Sequence, residues 1–287
     1  MTSEFYRRPG SGGAGENFFR VSADTVPASM GLPPSLDSVV SGAGHSFDRA
    51  AALGSRVCPA VPVLFFGDLD AYLGSALRVV TVGLNPSLKE FPSDDPFLRF
   101  RLAENAGRED SGRYLEALSA YFRTKPYGEW FGNYEPLLNG MGASYYNGAT
   151  SRVLHTDICS PVATDPTWSH LSETDRAVLV DDGAPLWHEL LEVLQPSVVV
   201  LSVAREHLGR IMFDPLAPWG LIHRFDYTAD GALRARPYEA EGCWYVVGDE
   251  PSLFVFCPAS QTPLGLISHN HRHELGSIVA DTYLRGW

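Results

Sequence analysis

The residues best suited to chemistry stand at the ends of apolar runs. Asn85 lies in Gly83-Leu84-Asn85-Pro86-Ser87, directly after Val79-Val80-Thr81-Val82. Its neutral amide both gives and accepts hydrogen bonds. Asp157 lies in Ser151-Arg152-Val153-Leu154-His155-Thr156-Asp157-Ile158-Cys159, just ahead of Ser160-Pro161. An ionised carboxylate there only accepts. Cys257 ends the run Leu253–Cys257 and opens Pro258-Ala259-Ser260-Gln261-Thr262-Pro263-Leu264-Gly265. His269, His271, Arg272 and His273 crowd the start of a C-terminal helical stretch. A helix N-terminus favours anions, so these residues suit phosphate contacts. Each has a plainer alternative: Asn85 caps its own turn, Asp157 caps the loop before Pro161, and the histidines form an exposed polar turn. His155 reads as packed or hydrogen-bonded.

The elements around these residues must hold them at strand ends. Val79–Val82 is β-branched with few polar atoms, as in a strand buried on both faces of a parallel sheet. Gly83, Asn85 and Pro86 stop it abruptly. Asn85 is therefore expected in a loop at the carboxyl end of a central strand, where open α/β sheets bind ligands. Further strands are expected at 151–159, 197–202, 244–248 and 253–257. Helices are expected at about 111–122, 134–141 and 175–194, at 203–208, and after Ser268. A short helix is expected at 46–53. The segment 61–67 holds Pro62 and fits an edge strand or a buried loop. Residues 214–242 carry Pro215, Pro218 and Pro237 and predict no long element. Strand–helix–strand order implies an α/β fold with a central, mainly parallel sheet. Residues 1–16 read as a mobile tail, 1–56 as an N-terminal tail and extension, and 57–287 as one domain.

The chain has 287 residues, 45% of them hydrophobic, enough to fill a large core. No apolar run approaches a membrane span, and the N-terminus lacks the apolar stretch of a signal peptide. A cytoplasmic protein with no membrane partner is expected. Cys58, Cys159, Cys243 and Cys257 are widely spaced without a Cys-x-x-Cys pair, so reduced, mostly buried thiols are expected and no metal site. The net charge of −12 argues against a broadly basic nucleic-acid binder. A local basic rim remains open at Arg99, Arg101, Arg108, Arg113, Arg123 and Lys125, although Glu104, Glu109, Asp110 and Glu116 share that window.

Four blocks in order, GLNPS, VLHTDICSP, LLEVLQPSVVVLSVAREHL and FVFCPASQTPLG, resemble the uracil-DNA glycosylase superfamily over about residues 75–285. The resemblance implies a three-layer α/β/α sandwich that flips a base out of DNA and hydrolyses its N-glycosidic bond. The first block is similar to the branch carrying Gly-x-Asn-Pro, the mismatch-specific and single-strand-selective glycosylases. On that likeness Asn85 positions the attacking water, with Gly83 and Leu84 lining the base pocket. Asp157 stands where the family has an Asn that reads the base. An ionised Asp suits a base edge rich in donors, which points away from uracil and towards an amino base. Cys257-Pro258-Ala259-Ser260 replaces the family's His-Pro-Ser, so the His that steadies the departing uracil is absent there, as in the mismatch-specific branch. Cys257 then lines the base pocket and Ser260 faces DNA. Pro263-Leu264-Gly265 is the expected wedge into the duplex. His269, His271 and Arg272 are the expected DNA contacts. Phe91 is the expected stacking surface for the flipped base, or simply core.

The resemblance thus implies a monomeric DNA glycosylase without metal or organic cofactor. Its substrate is expected to be a modified or non-uracil base such as a modified cytosine, in a role such as defence against foreign DNA. Two rival readings are a non-catalytic nucleic-acid or nucleotide-binding module on the same fold, and a hydrolase of free nucleosides or nucleotides.

Overall fold

The computed structural model describes residues 35–104 and 110–286. The expected N-terminal tail, together with Arg108 and Glu109 of the basic window, lies outside the described residues. The first helix, α1 (Leu36–Arg49), starts at Ser35, whose side chain accepts from the Ser38 N–H and caps it. It begins earlier than the short helix expected at 46–53. Gly42 and Gly44 weaken its intrinsic propensity, and burial of Val39 and Ala43 compensates.

The chain continues through α2 (Leu69–Leu73), β1 (Val79–Gly83), α3 (Ser111–Ser119), α4 (Gly128–Phe131) and α5 (Glu135–Gly140). Then come β2 (Ala143–Ser144), β3 (Ser151–Asp157), α6 (Glu173–Leu194) and β4 (Val198–Leu201). The remainder is β5 (Asp214–Pro215), β6 (Gly220–Tyr227), β7 (Leu233–Val247), β8 (Glu250–Phe256) and α7 (His269–Arg285). The eight strands form a mixed, mostly parallel sheet ordered β2-β3-β1-β4-β8-β7-β5, with β6 also paired to β7. Strands β2, β3, β1, β4 and β8 run parallel, and β7 is antiparallel to its neighbours. As the β-branched runs predict, β1 and β4 are buried along their whole length.

Helices cover both faces, giving three layers. Successive side chains on β3 point opposite ways. Thr156 accepts from Trp187 Nε1 of α6 on one face (3.0 Å). His155 packs edge-on against Phe131 of α4 on the other. Helices α5 and α7 cross at Gly140 and Gly276. A Cβ at Gly276 would lie 2.0 Å from Leu137 O, so only glycine allows this backbone approach.

Two local expectations need correction, and one alternative is decided. The segment 61–67 is a buried loop, joined to β3 by paired backbone hydrogen bonds between Phe66 and His155. The helix expected at 203–208 is a 3-10 stretch, Arg205–Arg210. Residues 214–242 form most of a long hairpin, β6 with β7. Most of β6 is at least partly exposed. A strand with so little core face does not impose alternation of apolar and polar residues, so the sequence of β6 carries no clear strand signal.

Strand β1 is followed in sequence by β3 on one side and later by β4 on the other. The carboxyl ends of β1 and β4 therefore flank a topological switch point. Among the described residues, no helix is long and apolar enough to cross a membrane.

Candidate functional site

The parallel register sets the geometry at this switch point. Gly83 of β1 pairs with Asp157 of β3, and Leu201 of β4 pairs with Phe256 of β8. The loops that follow all leave from one edge of the sheet. Loop 84–88 is stitched to loop 158–164 by Cys159 N–H to Leu84 O, Thr164 N–H to Pro86 O, and Leu88 N–H to Thr164 O.

Asn85 closes that seam. Its Nδ2 donates to Val162 O (3.1 Å) and to Thr164 Oγ1 (2.9 Å). A backbone carbonyl only accepts, so the amide nitrogen must face it and the flip state is determined. Both amide protons are thereby committed, and no described residue donates to Oδ1. The half-buried side chain is a fixed acceptor beside the switch point.

Asp157 lies across from Gly83. A Cβ at Gly83 would fall 2.5 Å from Asp157 Oδ1 and 3.0 Å from His155 Nε2, so glycine leaves the room these groups occupy. The Asp157 side chain is 4% exposed and forms no hydrogen bond with the described residues; His155 Nε2 stands 3.8 Å from Oδ1, too far for one. Burial first, and the charge of Glu90 second, raise its pKa well above the ordinary carboxylate range. Its surroundings therefore favour the protonated form over the ionised one. The expected ionised, acceptor-only form is disfavoured here, since no cation among the described residues around it offsets its desolvation. A cavity of about 10 Å³ touches Asp157 on the α6 side, against Gly183, Leu186, Trp187 and Leu190. It has room for about one water.

His155 is buried and neutral, its pKa lowered to about 3 by desolvation. Its Nδ1 pairs with Thr81 Oγ1 (2.8 Å), which also pairs with Tyr145 Oη (2.5 Å). The buried Tyr145 proton has no other acceptor among the described residues. Tyr145 thus donates to Thr81, Thr81 donates to His155 Nδ1, and the imidazole proton sits on Nε2, facing Asp157. Tyr134, beside His155, donates to Val82 O (3.2 Å).

Glu90 is the residue that sequence reasoning missed. It follows Asn85 in the same loop and is 5% exposed. It accepts from Tyr121 Oη, with Arg99 Nε 3.7 Å away. Burial outweighs both partners and raises its pKa to about 7. The available signal was a lone Glu in Leu88-Lys89-Glu90-Phe91, the loop after the Asn85 turn.

Other expected site residues take different places. Leu84 is half-buried in the stitched loop. Phe91 is 1% exposed and stacks on Phe100, ring centroids 5.2 Å apart, so it belongs to the core rather than to an open stacking face. Cys257 is buried, donates its N–H to Leu201 O, and burial pushes its thiol up to about 12. Pro263 and Leu264 are buried, and the Leu264 N–H donates to Ser202 Oγ. The expected wedge is therefore turned inward; the exposed apolar side chain of this loop is Leu266, 45% exposed. Ser260 is exposed. His269 is exposed at the start of α7, whose cap is Ser268. His271 instead stacks on Phe225 at 4.5 Å. Arg272 is turned inward too, donating to Ile267 O, Asn133 O and Asn133 Oδ1. It braces the molecule instead of presenting a free cation.

The basic window is largely spent internally as well. Arg101 pairs with Asp95 and Arg123 with Asp68, Arg113 donates to Leu102 O, and Arg99 donates to Lys89 O and Lys125 O. Lys89 and Lys125 are exposed. A separate cleft of about 290 Å³ opens at the ends of β4 and β8, between Val203, Arg205, Glu241, Phe256 and Pro258. Arg205 lies over the Phe256 ring at 4.7 Å and pairs with Glu241. Compared with models of known protein families and with curated protein sequences, the chain gives no match.

Proposed function

We propose that this chain releases a base by hydrolysing an N-glycosidic bond, with DNA as the first candidate substrate. The observation that carries the reading is the clamped amide of Asn85 at the switch point. With Nδ2 held by Val162 and Thr164, Oδ1 is oriented to accept from a water. That water attacks C1′ as the bond to the base breaks. The sugar passes through an oxocarbenium-like state, which needs a placed water more than a strong base. Asp157, one strand away and biased towards its protonated form by burial, would hydrogen-bond the base as negative charge develops on it. Its side chain is nearly sealed, so a ring reaches it only if surrounding side chains move.

A second reading, hydrolysis of free nucleosides or nucleotides, is favoured by the internal pairing of Arg101 and Arg123 and by the bracing role of Arg272. Those groups leave few cations for a DNA backbone. One experiment separates the two. The protein is incubated with oligonucleotides carrying ordinary and modified bases, and with the matching free nucleosides, and released base is measured by mass spectrometry. Release from oligonucleotides alone supports the DNA reading; release from nucleosides alone supports the second. In Asn85→Ala the rate should fall by about two orders of magnitude. Full release by a folded Asn85→Ala protein would remove Asn85 from the mechanism.

A further inference from the structure

We propose that the cleft at the ends of β4 and β8 is a second ligand site, which takes a flat base carrying two adjacent N–H donors, of the guanine type. The inference goes beyond the hydrolytic reading and does not depend on it. It starts from the course of the β6–β7 hairpin. Strand β7 pairs with β8 only from Glu241, opposite Phe256, to Val247, opposite Glu250. Residues 233–240 therefore run on past the last residue of β8, paired with β6 instead. Tyr238 and Ala240 are buried on one face of this ribbon, so Pro237, Glu239 and Glu241 share the other. That second face lines the cleft together with Arg205, Phe256 and Pro258.

The cleft measures about 290 Å³, at the small end of the range for small-ligand sites. Its floor is a cation backed by a ring. The Arg205 guanidinium carbon lies 4.7 Å from the Phe256 ring centroid, and Nη2 donates to Glu241 Oε1. The Arg205 side chain is 57% exposed, so the side of the guanidinium away from Phe256 is open. A planar cation seated on an aromatic ring is a stacking platform for a flat heteroaromatic ring. Pro237 and Pro258 flank it with rings that carry no N–H.

Charge and hydrogen bonding narrow the class. Arg205 is balanced by Glu241, and Glu239 by Arg224, so the cleft suits a neutral ligand better than a phosphate or a cation. Glu241 is spent on Arg205. Glu239 is held more loosely: it is 47% exposed, and Arg224 reaches its Oε1 at 3.4 Å while bonding Asp226 at 2.7 Å. A carboxylate only accepts. Guanine presents N1–H and its 2-amino group side by side, two donors for the two oxygens of one carboxylate. Adenine and cytosine set an acceptor beside their amino group, and uracil has one donor between two acceptors. Each of these three would place a lone pair against Glu239.

The test has two arms, both on the whole chain. In the first, equilibrium dialysis measures uptake of labelled guanosine, with adenosine, cytidine and uridine as competitors. Guanosine should bind about tenfold more tightly than the other three. Glu239→Gln replaces two acceptors with one acceptor and one donor, so it should weaken guanosine by about tenfold and strengthen adenosine. Arg205→Lys keeps a charge for Glu241 but loses the plane, and should weaken every base alike. In the second arm, fluorescence anisotropy compares a single-stranded thymine oligonucleotide with the same strand carrying one guanine. Uptake of guanosine without a guanine-dependent gain in the oligonucleotide assigns the cleft to a free nucleoside. A gain that Glu239→Gln abolishes, without uptake of guanosine, assigns it to a base within a strand. Binding in neither arm, equal binding of all four nucleosides, or guanosine affinity unchanged in both variants would overturn the proposal. No reading here needs base release, so failure of the hydrolytic reading would leave the cleft assignment standing.

Discussion

Two buried carboxyls, Glu90 and Asp157, sit within electrostatic reach of each other behind the Asn85 loop. For Glu90 the folded-state pKa of about 7 lies above its ordinary 4.5. A raised folded pKa means that the neutral form is favoured by folding. The stabilisation is intact below about pH 4.5 and is lost as pH climbs through about 7. The loss is roughly 3 kcal/mol at most, from 1.36 kcal/mol per pH unit. The melting temperature of the parent should therefore decline between about pH 5 and 8. Glu90→Gln, permanently neutral and still able to accept from Tyr121, should show a shallower decline. Thermal melts across that range decide it, and parallel curves for the two proteins would sink the assignment. Asn85 also has a structural share: Asn85→Ala removes two hydrogen bonds between loops, so a stability loss of about 1–2 kcal/mol should accompany the loss of activity.

Helix α7 shows how an element can redirect residues that look like a binding patch. Its N-terminus is capped by Ser268, and its third and fourth residues, His271 and Arg272, are drawn inward by Phe225, Ile267 and Asn133. The contact between α5 and α7 at Gly140 and Gly276 holds that end of the helix close to the α4–α5 segment. Arg272→Ala should therefore act on stability, lowering it by about 1–3 kcal/mol through orphaned carbonyls. It should leave the salt dependence of any DNA binding unchanged. Denaturant melts and a salt titration of affinity check both parts; unchanged stability with a shallower salt slope would return Arg272 to the interface.

For the molecule as a whole, a net charge of −12 and internally paired arginines limit the phosphate contacts available. Lys89 and Lys125 are exposed cations, and Lys89 shares the loop of Asn85. If DNA is the substrate, log affinity should fall against log salt with a slope of about 2, at 0.9 for each of these two contacts. A slope near 10, as for a protein that tracks many phosphates, would contradict this distribution of charge.

The sequence alone determined the layered α/β fold and the placing of Asn85 and Asp157 at strand ends. Both follow from short-range physics. A β-branched run cut by Gly83 and Pro86 can do little else, and the apolar stripe of α6 must cover a sheet. Tertiary structure decided what no local pattern encodes. The raised pKa of Asp157 depends on its burial and on Glu90 brought up beside it, and that of Glu90 on a burial that outweighs the lowering by Tyr121 and Arg99. The inward turn of Phe91, Leu264 and Arg272 depends on partners as far away as Asn133. Strand β6 escaped notice because a strand with little burial leaves no clear periodicity in its residues. Secondary structure follows from neighbours along the chain, whereas charge state and exposure follow from neighbours in space.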